Sequence, residues 1–265
     1  MDQRISAFSG ATALTVAGSD SGGGAGIQAD LLTFAARGVF GTTAITCLTA
    51  QNPGGVSAVE ALPPAFVREQ MEQVARYFSL GAAKTGMLLN AGIIAEAAAF
   101  FAGQRDLPLV VDPVMVATSG AVLLERSAIT ALREQLLPRA TVITPNLDEA
   151  TVLLGQSIRP EDMETAALQL SDTFATAVLL KGGHLPGDDL LDVLVIPGEK
   201  ARAYRHERIP GVHTHGSGCT LASAIAAELA KGEALPDAVE TAIAYLRAGM
   251  RTPLPIGREY FIAHG

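Results

Sequence analysis

The fold is decided by the segment Leu14-Thr-Val-Ala-Gly18, which runs into Ser19-Asp-Ser-Gly-Gly-Gly-Ala-Gly26. Its first part is a short apolar run with the residue types that strands prefer, and its second part is a glycine-rich turn. A helical pattern of apolar residues follows over 27–37. The order strand, turn, helix is the first half of a βαβ unit, whose next strand lies parallel to the first.

The same order recurs along the chain. Strands are predicted at 14–18, 42–48, 82–85, 109–112, 141–144 and 177–181, several of them continuous apolar runs of the kind found in strands buried on both faces. Helices are predicted at 27–37, 65–78, 91–101, 127–136, 148–154, 161–172, 220–231 and 236–250. Shorter alternating segments at 51–62 and 190–209 predict a flap and an outer sheet region. The pattern therefore predicts an α/β fold with a mostly parallel central sheet.

Composition limits the functional class. The chain has 265 residues, 49% of them hydrophobic, which is enough to bury a large core in one domain. We expect residues 1–11 to form an N-terminal extension of that domain. A net charge of −8 without a Lys/Arg cluster argues against a nucleic-acid partner. No run of 18 apolar residues and no signal-peptide pattern is present, so neither a membrane partner nor secretion is expected.

The two cysteines, Cys47 and Cys219, are far apart in sequence. Their spacing predicts neither a disulfide framework nor a zinc site. A reducing, cytoplasmic location fits this usage best.

The loop His213-Thr-His-Gly-Ser-Gly-Cys-Thr220 opens a predicted helix of small apolar residues. Unpaired backbone N–H groups at a helix start, together with the helix dipole, make an anion site. The same field is expected to favour the thiolate form of Cys219, which would place a proton acceptor beside a phosphate. Taken alone, the loop fits equally well a glycine-rich turn that precedes a packed helix with a buried cysteine.

Polar residues follow the predicted strands at their carboxyl ends, where parallel sheets bind ligands. Asp112, Asn146 and Glu149 offer the oxygen ligands of a sparse Mg²⁺ site, although Asn146 and Glu149 also fit a helix capping box. Lys181 ends a buried strand and can neutralise phosphate charge. Lys84 is interpreted as a lysine that reaches solvent from the sheet edge.

Nucleotide-binding motifs of the two best-known kinds, GxxxxGK[ST] and GxGxxG, are absent from the sequence. An ordinary P-loop enzyme or dinucleotide-dependent dehydrogenase is therefore not expected. An anion loop, a neighbouring proton acceptor, a lysine and a sparse Mg²⁺ set instead indicate phosphoryl transfer.

Seven ordered motifs resemble those of the hydroxymethylpyrimidine/phosphomethylpyrimidine kinases of thiamine biosynthesis, in the ribokinase-like superfamily. They span residues 12–250 and are Ala17-Gly-Ser-Asp-Ser-Gly-Gly-Gly-Ala-Gly-Ile-Gln-Ala-Asp30, Leu48-Thr-Ala-Gln-Asn52, Lys84-Thr-Gly-Met87, Asp112-Pro-Val-Met-Val116, Thr144-Pro-Asn146, Lys181-Gly-Gly-His184 and Thr214-His-Gly-Ser-Gly-Cys-Thr220.

The resemblance implies a three-layer α/β/α fold and two successive ATP- and Mg²⁺-dependent phosphorylations. The first substrate is 4-amino-5-hydroxymethyl-2-methylpyrimidine and the second is its monophosphate. It also implies a homodimer. Serine at 217 and histidine at 213 depart from the family's common threonine and asparagine.

The resemblance also assigns roles to individual residues. Gly18, Asp30 and Gln51 are expected to line the pyrimidine pocket, and Asp112 and Glu149 to act on the Mg²⁺ side. Lys181 is expected at the ATP phosphates, with Gly216, Ser217, Gly218 and Cys219 forming the anion hole. Cys219 would accept the proton of the substrate hydroxyl.

Two other functions stay open at this point. A pyridoxal/pyridoxine kinase on the same fold would take a similarly flat heteroaromatic substrate with a hydroxymethyl group, although Gln51 favours the aminopyrimidine. A ligand sensor without catalytic activity would keep the pocket but would have no need of Lys181, Glu149 and Cys219 together.

Overall fold

The computed structural model describes residues 10–115, 124, 126–183, 185, 187–257 and 259–265. Most of the predicted N-terminal extension, together with Val116 and His184 of the motifs above, lies outside these residues. No helix in this part of the chain is long and apolar enough to cross a bilayer.

Within the described part of the chain, the main sheet has nine strands in the order β3-β2-β1-β4-β5-β6-β7-β8-β9. Their bounds are β1 Thr12–Asp20, β2 Phe40–Asn52, β3 Gly55–Ala61, β4 Ala82–Thr85, β5 Leu109–Val111, β6 Val142–Ile143, β7 Ala177–Leu180, β8 Asp189–Val195 and β9 Arg202–Glu207. In this spatial order, the five neighbouring pairs from β2–β1 to β6–β7 are parallel. The pairs β3–β2, β7–β8 and β8–β9 are antiparallel. The predicted mostly parallel sheet is thus confirmed, and the predicted flap and outer region are β2–β3 and β8–β9.

Eight α-helices cover the two faces of the sheet in the described residues. They are α1 Gly26–Ala36, α2 Pro64–Tyr77, α3 Ala91–Ala102, α4 Arg126–Ala131, α5 Leu147–Leu154, α6 Met163–Phe174, α7 Ser217–Ala230 and α8 Leu235–Arg251. Pro64 and Pro236 stand in the first turns of α2 and α8, where a missing N–H costs nothing. The helix predicted at 127–136 ends as a π-helical turn over Leu132–Leu136.

Two hydrophobic clusters lie on opposite faces of the sheet. One joins the sheet to α2–α6, and the other joins it to α1, α7 and α8. Alternate strand residues serve the two clusters: Leu109 and Val111 face the first, whereas Val110 faces the second. The result is a three-layer α/β/α arrangement.

The structure contains one element that the sequence pattern does not predict. An antiparallel hairpin of β10 (Leu254–Ile256) and β11 (Glu259–Phe261) forms a second, two-stranded sheet. Three-residue strands that are mostly exposed give little periodic signal, so the apolar pattern did not indicate them.

Packing in the second cluster predicts that two substitutions on α1 change the free energy of unfolding by very different amounts. Phe34 has no exposed surface, whereas Leu32 on the same helix is 49% exposed. We expect Phe34→Ala to lower the free energy of unfolding by about 3–5 kcal/mol, because it leaves a cavity. Leu32→Ala, the control, should change that free energy by no more than about 0.5 kcal/mol in urea denaturation. Equal losses in the two variants would contradict this account of the core.

Candidate active site

Four polar side chains at the carboxyl ends of neighbouring strands lie on the same face of the sheet. Each of them stands two residues after a strand residue that belongs to the hydrophobic cluster against α7. The polar residues are Lys84, Asp112, Thr144 and Lys181, and the cluster residues before them are, in the same order, Ala82, Val110, Val142 and Leu179. Because side chains alternate along a strand, all four polar side chains lie on the α7 side of the sheet, near the N-terminus of that helix. The strand order changes direction between β1 and β4, which is where open α/β sheets form ligand clefts.

Lys181 and Asp112 form an ion pair at this edge. Lys181 Nζ lies 2.9 Å from Asp112 Oδ1, and the Thr144 hydroxyl donates to the same oxygen at 3.1 Å. Burial disfavours the lysine charge, but the carboxylates of Asp112 and Glu149 outweigh this effect and raise the pKa of Lys181. Lys181 is therefore a fixed cation at the sheet edge.

Gly218 opens onto this ion pair. A Cβ at Gly218 would lie 3.3 Å from Lys181 Nζ and 3.4 Å from Asp112 Oδ2, so the glycine lets the backbone of α7 approach both charged groups closely. Gly216, the N-cap of α7, has a φ of 81°, and a Cβ there would overlap the carbonyl oxygen of Gly24. The sequence Gly-Ser-Gly thus brings the helix N-terminus against both the β1–α1 turn and the strand ends.

The predicted anion hole has fewer available N–H groups than the sequence indicated. The N–H of Ser217 donates to the carbonyl of Thr214, and the N–H of Thr220 donates to that of Gly216. The N–H groups of Gly218 and Cys219 have no backbone partner among the described residues, and Gly218 lies beside Lys181 and Asp112. A phosphate group fits this arrangement because it would meet free N–H donors, a helix N-terminus and a lysine together.

The expected thiolate at Cys219 is not what the structure supports. Burial raises the pKa of Cys219 to about 11, and Lys84 together with a hydrogen bond from the Gly26 N–H only partly offsets that effect. The carboxylates of Asp30 and Asp112 raise the pKa of Cys219 further. The thiol is therefore neutral at pH 7. The helix dipole can be inferred from the sequence, whereas the desolvation that opposes it depends on the packing around the thiol.

Beneath Cys219 lies a buried polar cluster made of Thr15, Asp30, Lys84 and Ser223. Lys84 Nζ lies 2.8 and 2.9 Å from the two oxygens of Asp30, and neither side chain is exposed. The hydroxyls of Thr15 and Ser223 each donate to Asp30 at 2.6 Å. Burial acts to lower the pKa of Lys84, but the Asp30 charge outweighs it and the pKa is raised.

This cluster changes two interpretations. The expectation that Lys84 reaches solvent is wrong, because it is fully buried as the partner of Asp30. Asp30, expected in the pyrimidine pocket, has no exposed surface and uses both oxygens inside the cluster. Its environment therefore favours an electrostatic and structural role beneath the site rather than contact with a ligand.

Glu149 and Asn146 form the capping box that the sequence allowed. The Asn146 side chain accepts from the Glu149 N–H and the Glu149 side chain accepts from the Asn146 N–H, both at 2.9 Å. Burial raises the pKa of Glu149, and although Lys181 acts to lower it, nearby Asp112 raises it further. Two neighbouring carboxylates suit Mg²⁺, which needs only one or two of them besides water and phosphate oxygens. The described residues contain no metal-binding group of three or more His, Cys, Asp or Glu side chains.

At the other end of the cleft, Gln51, His215 and Asp20 come together. His215 Nε2 lies 2.9 Å from Gln51 Nε2 and 3.0 Å from Asp20 Oδ2. Gly18 lies on the adjacent β1, where a Cβ would meet Cys47 Sγ at 2.7 Å. Sequence reasoning selected Gln51 and Gly18 but did not assign Asp20 and His215 to the same cluster, since they are 195 residues apart.

The C-terminal hairpin supports the loop that leads into α7. The His213 N–H donates to the Tyr260 carbonyl at 2.8 Å, and the His213 ring stacks on Phe261 with centroids 5.8 Å apart. His213 Nδ1 in turn accepts from the His215 N–H at 3.3 Å. His213 is one of the two departures from the family pattern. It contacts the β10–β11 hairpin, which the apolar periodicity does not indicate.

The buried pair Asp30–Lys84 predicts a large stability effect. Lys84→Met leaves the Asp30 carboxylate buried without its cation, so the free energy of unfolding should fall by about 3–5 kcal/mol in urea denaturation. Lys231→Met is the control, because Lys231 pairs with Glu228 at 2.7 Å but is 32% exposed, and it should cost no more than about 1 kcal/mol.

The double variant Asp30→Asn with Lys84→Met should recover part of the loss, since it removes both charges together. A Lys84→Met loss no larger than that of Lys231→Met would show that the pair does not stabilise the fold.

The chain resembles known proteins in family, sequence and structure. Residues 20–264 match the family model for phosphomethylpyrimidine kinase. The chain is 48% identical over 247 residues to the hydroxymethylpyrimidine/phosphomethylpyrimidine kinase of Synechococcus elongatus, covering 93% of this chain and 94% of that protein. It is 46% identical over 256 residues to the thiamine biosynthesis bifunctional protein ThiED of Geobacter sulfurreducens, covering 96% of this chain but only 52% of that longer protein.

Two solved structures show the same fold. An ADP complex of Bacillus subtilis pyridoxal kinase superposes with a TM-score of 0.88 at 39% identity, covering 97% of this chain and 98% of that one. Phosphomethylpyrimidine kinase from Clostridium difficile 630 gives a TM-score of 0.79 at 39% identity, covering 90% and 98%. The predicted ribokinase-like fold is confirmed, and the chain belongs to the phosphomethylpyrimidine kinase family.

Proposed function

We propose that the chain transfers the γ-phosphoryl group of ATP to 4-amino-5-hydroxymethyl-2-methylpyrimidine, and then phosphorylates the monophosphate to the diphosphate, in thiamine biosynthesis. One observation carries the proposal: Gly218 brings the start of α7 close to the Lys181–Asp112 pair, so that backbone N–H groups and a lysine ammonium lie side by side. Family membership and the named relatives support the choice of substrate.

The phosphate end of the site acts by position and charge. The N–H groups of Gly218 and Cys219 and the ammonium of Lys181 would face the transferring phosphoryl group, where negative charge is greatest. Fixed donors of this kind need no rearrangement during the reaction, which is why they lower the barrier. Asp112 holds Lys181 in place through the 2.9 Å ion pair.

Magnesium is proposed on the Asp112 and Glu149 side. Burial raises the pKa of Glu149, so a cation nearby would favour its charged form. Bound there with phosphate oxygens, Mg²⁺ would supply neutralising charge and order the phosphate chain.

Cys219 is proposed as the group that accepts the substrate proton. In the transfer, the hydroxymethyl oxygen bonds to the γ-phosphorus, the bond from that phosphorus to the bridging oxygen breaks, and ADP leaves with the electron pair. The hydroxyl proton passes to the thiolate of Cys219. With a pKa of about 11, only about 1 in 10,000 molecules carries that thiolate at pH 7.

The pyrimidine would lie near Gly18 and Gln51. Gly18 lets β1 pack closely against Cys47, and the amide of Gln51 can hydrogen-bond to an aminopyrimidine. Asp30 contributes from beneath, through Lys84 and Ser223, rather than by direct contact.

A pyridoxal kinase is the second candidate, because the Bacillus subtilis pyridoxal kinase superposes over nearly the whole chain. The sequence relatives and the family model favour the pyrimidine instead. The ligand sensor is disfavoured because Lys181, Glu149 and Cys219 lie together around one site.

We further propose a single kinase domain that works in the cytoplasm as a homodimer. The family resemblance supports these three statements. The exposed apolar side chains of Leu48, Val56 and Val59 on the β2–β3 hairpin are compatible with a partner subunit.

Cys219→Ala should lower kcat about a hundredfold or more, with only a modest change in substrate binding, since it removes the proton acceptor. In the unsubstituted enzyme, kcat should rise with pH by about tenfold per unit between pH 7 and 9, because the thiolate fraction grows below the pKa of about 11. Cys219→Ser keeps the size but has a far less acidic group, and it should lose the pH slope too. Turnover near that of the unsubstituted enzyme in Cys219→Ala would remove this residue from the mechanism.

The function itself is tested by ADP release with Mg·ATP and one acceptor at a time: the hydroxymethylpyrimidine, its monophosphate or pyridoxal. Mass spectrometry of the products should show the pyrimidine monophosphate and then the diphosphate. Transfer to pyridoxal alone would replace the pyrimidine assignment, and tight pyrimidine binding without ADP release would favour the sensor.

A further inference from the structure

The hydrogen bonds around His215 restrict how Gln51 can present its amide. His215 Nε2 is within hydrogen-bond distance of both Asp20 Oδ2 and the Gln51 side-chain amide. One ring nitrogen either carries a hydrogen and donates, or lacks it and accepts. The state of this nitrogen therefore determines which atom of the Gln51 amide can face it.

The charge of Asp20 determines whether His215 Nε2 carries a hydrogen. Its Oδ2 also accepts from the N–H groups of Gly24 and Ala25, and its Oδ1 accepts from Gly22. Burial tends to raise the pKa of Asp20, but the His215 contact and these backbone donors outweigh it, and the pKa is lowered. The group facing His215 is thus a carboxylate, which attracts an N–H and repels a bare ring nitrogen.

His215 Nε2 therefore carries a hydrogen, whether the ring is neutral or protonated. Two N–H donors do not hydrogen-bond to one another, so the Gln51 amide must direct its oxygen, Oε1, toward Nε2. A half-turn of the Gln51 amide exchanges its oxygen and nitrogen without changing its shape, so the hydrogen-bond partners determine which atom faces His215. The N–H₂ of Gln51 is then at the end turned away from His215.

The backbone around this cluster is also tied by hydrogen bonds. The Gln51 N–H donates to the Ser21 hydroxyl, which donates to the Gln51 carbonyl, both at 2.7 Å. The His215 ring lies against Gly24, where a Cβ would come within 3.1 Å of the ring. The ends of β1 and β2 and the loop before α7 are therefore fixed relative to one another.

We propose that Asp20 and His215 form a positioning pair that fixes the Gln51 amide with its N–H₂ toward the ligand. This end of the cleft would then select a heteroaromatic ligand that presents a hydrogen-bond acceptor, such as a ring nitrogen. The proposal rests on the proposed function, since it assigns the residues that set specificity in the same site.

Nuclear magnetic resonance tests the orientation without any turnover. Long-range proton–nitrogen correlations of the unsubstituted protein should show His215 Nε2 protonated, and His215→Phe should change the environment of the Gln51 side-chain N–H₂ signals. A His215 ring protonated only at Nδ1 would overturn the proposal. This measurement holds even if the enzyme turns out not to act on pyrimidines.

Kinetics tests the consequence for specificity. His215→Phe keeps an aromatic ring but removes the donor, so the KM for the hydroxymethylpyrimidine should rise about tenfold, while kcat and the KM for ATP stay near the unsubstituted values. His215→Gln offers an amide N–H to Asp20 and should restore most of the affinity. The control is His264→Phe, since His264 lies against Thr33 and Tyr245, and it should leave all three constants unchanged.

Ligand analogues identify the acceptor. When each ring nitrogen of the pyrimidine is replaced in turn by CH, one replacement should weaken binding to the unsubstituted enzyme, and that loss should shrink in His215→Phe. Equal binding of both analogues, or an equal loss in the two proteins, would overturn the proposal. Absence of turnover with every pyrimidine would instead count against the proposed function.

Discussion

The site depends on the buried ion pair between Asp30 and Lys84. Burying two charges is unfavourable unless they pair closely and their remaining hydrogen-bonding capacity is met. Here two hydroxyls, from β1 and α7, complete the shell around Asp30. The pair therefore fixes α1, β1, β4 and α7 at one point, directly beneath the N-terminus of α7.

The alternation of side chains along the strands then decides which groups can take part in chemistry. A residue after β5, β6 or β7 reaches the cleft only when it continues the set that faces α7, as Asp112, Thr144 and Lys181 do. Glu149 comes to the same place differently, from the first turn of α5, where the capping box directs it back toward the sheet. Strand periodicity and helix capping together supply both the cation and the carboxylates of one site.

The sequence predicted the parts of this structure that local patterns encode. Periodicity located the parallel strands within a few residues, and glycine spacing located the start of α7. It could not show that Lys84 is buried, because a lysine at a strand end looks the same whether its partner is Asp30 or water. Nor could it show that desolvation outweighs the helix field at Cys219, since that balance depends on everything packed around the thiol.

The C-terminal hairpin has a consequence for how the protein matures. Phe261 and Tyr260 hold the His213–His215 loop, which in turn contacts Asp20 near the first strand. The Asp20–His215 contact joins residues 195 apart in sequence, so it closes a large loop at a cost in entropy. On the ribosome, a nascent chain that already contains the sheet and its helices would still lack this closure. Catalytic competence should thus arrive abruptly with the last residues of the hairpin instead of growing as the chain lengthens.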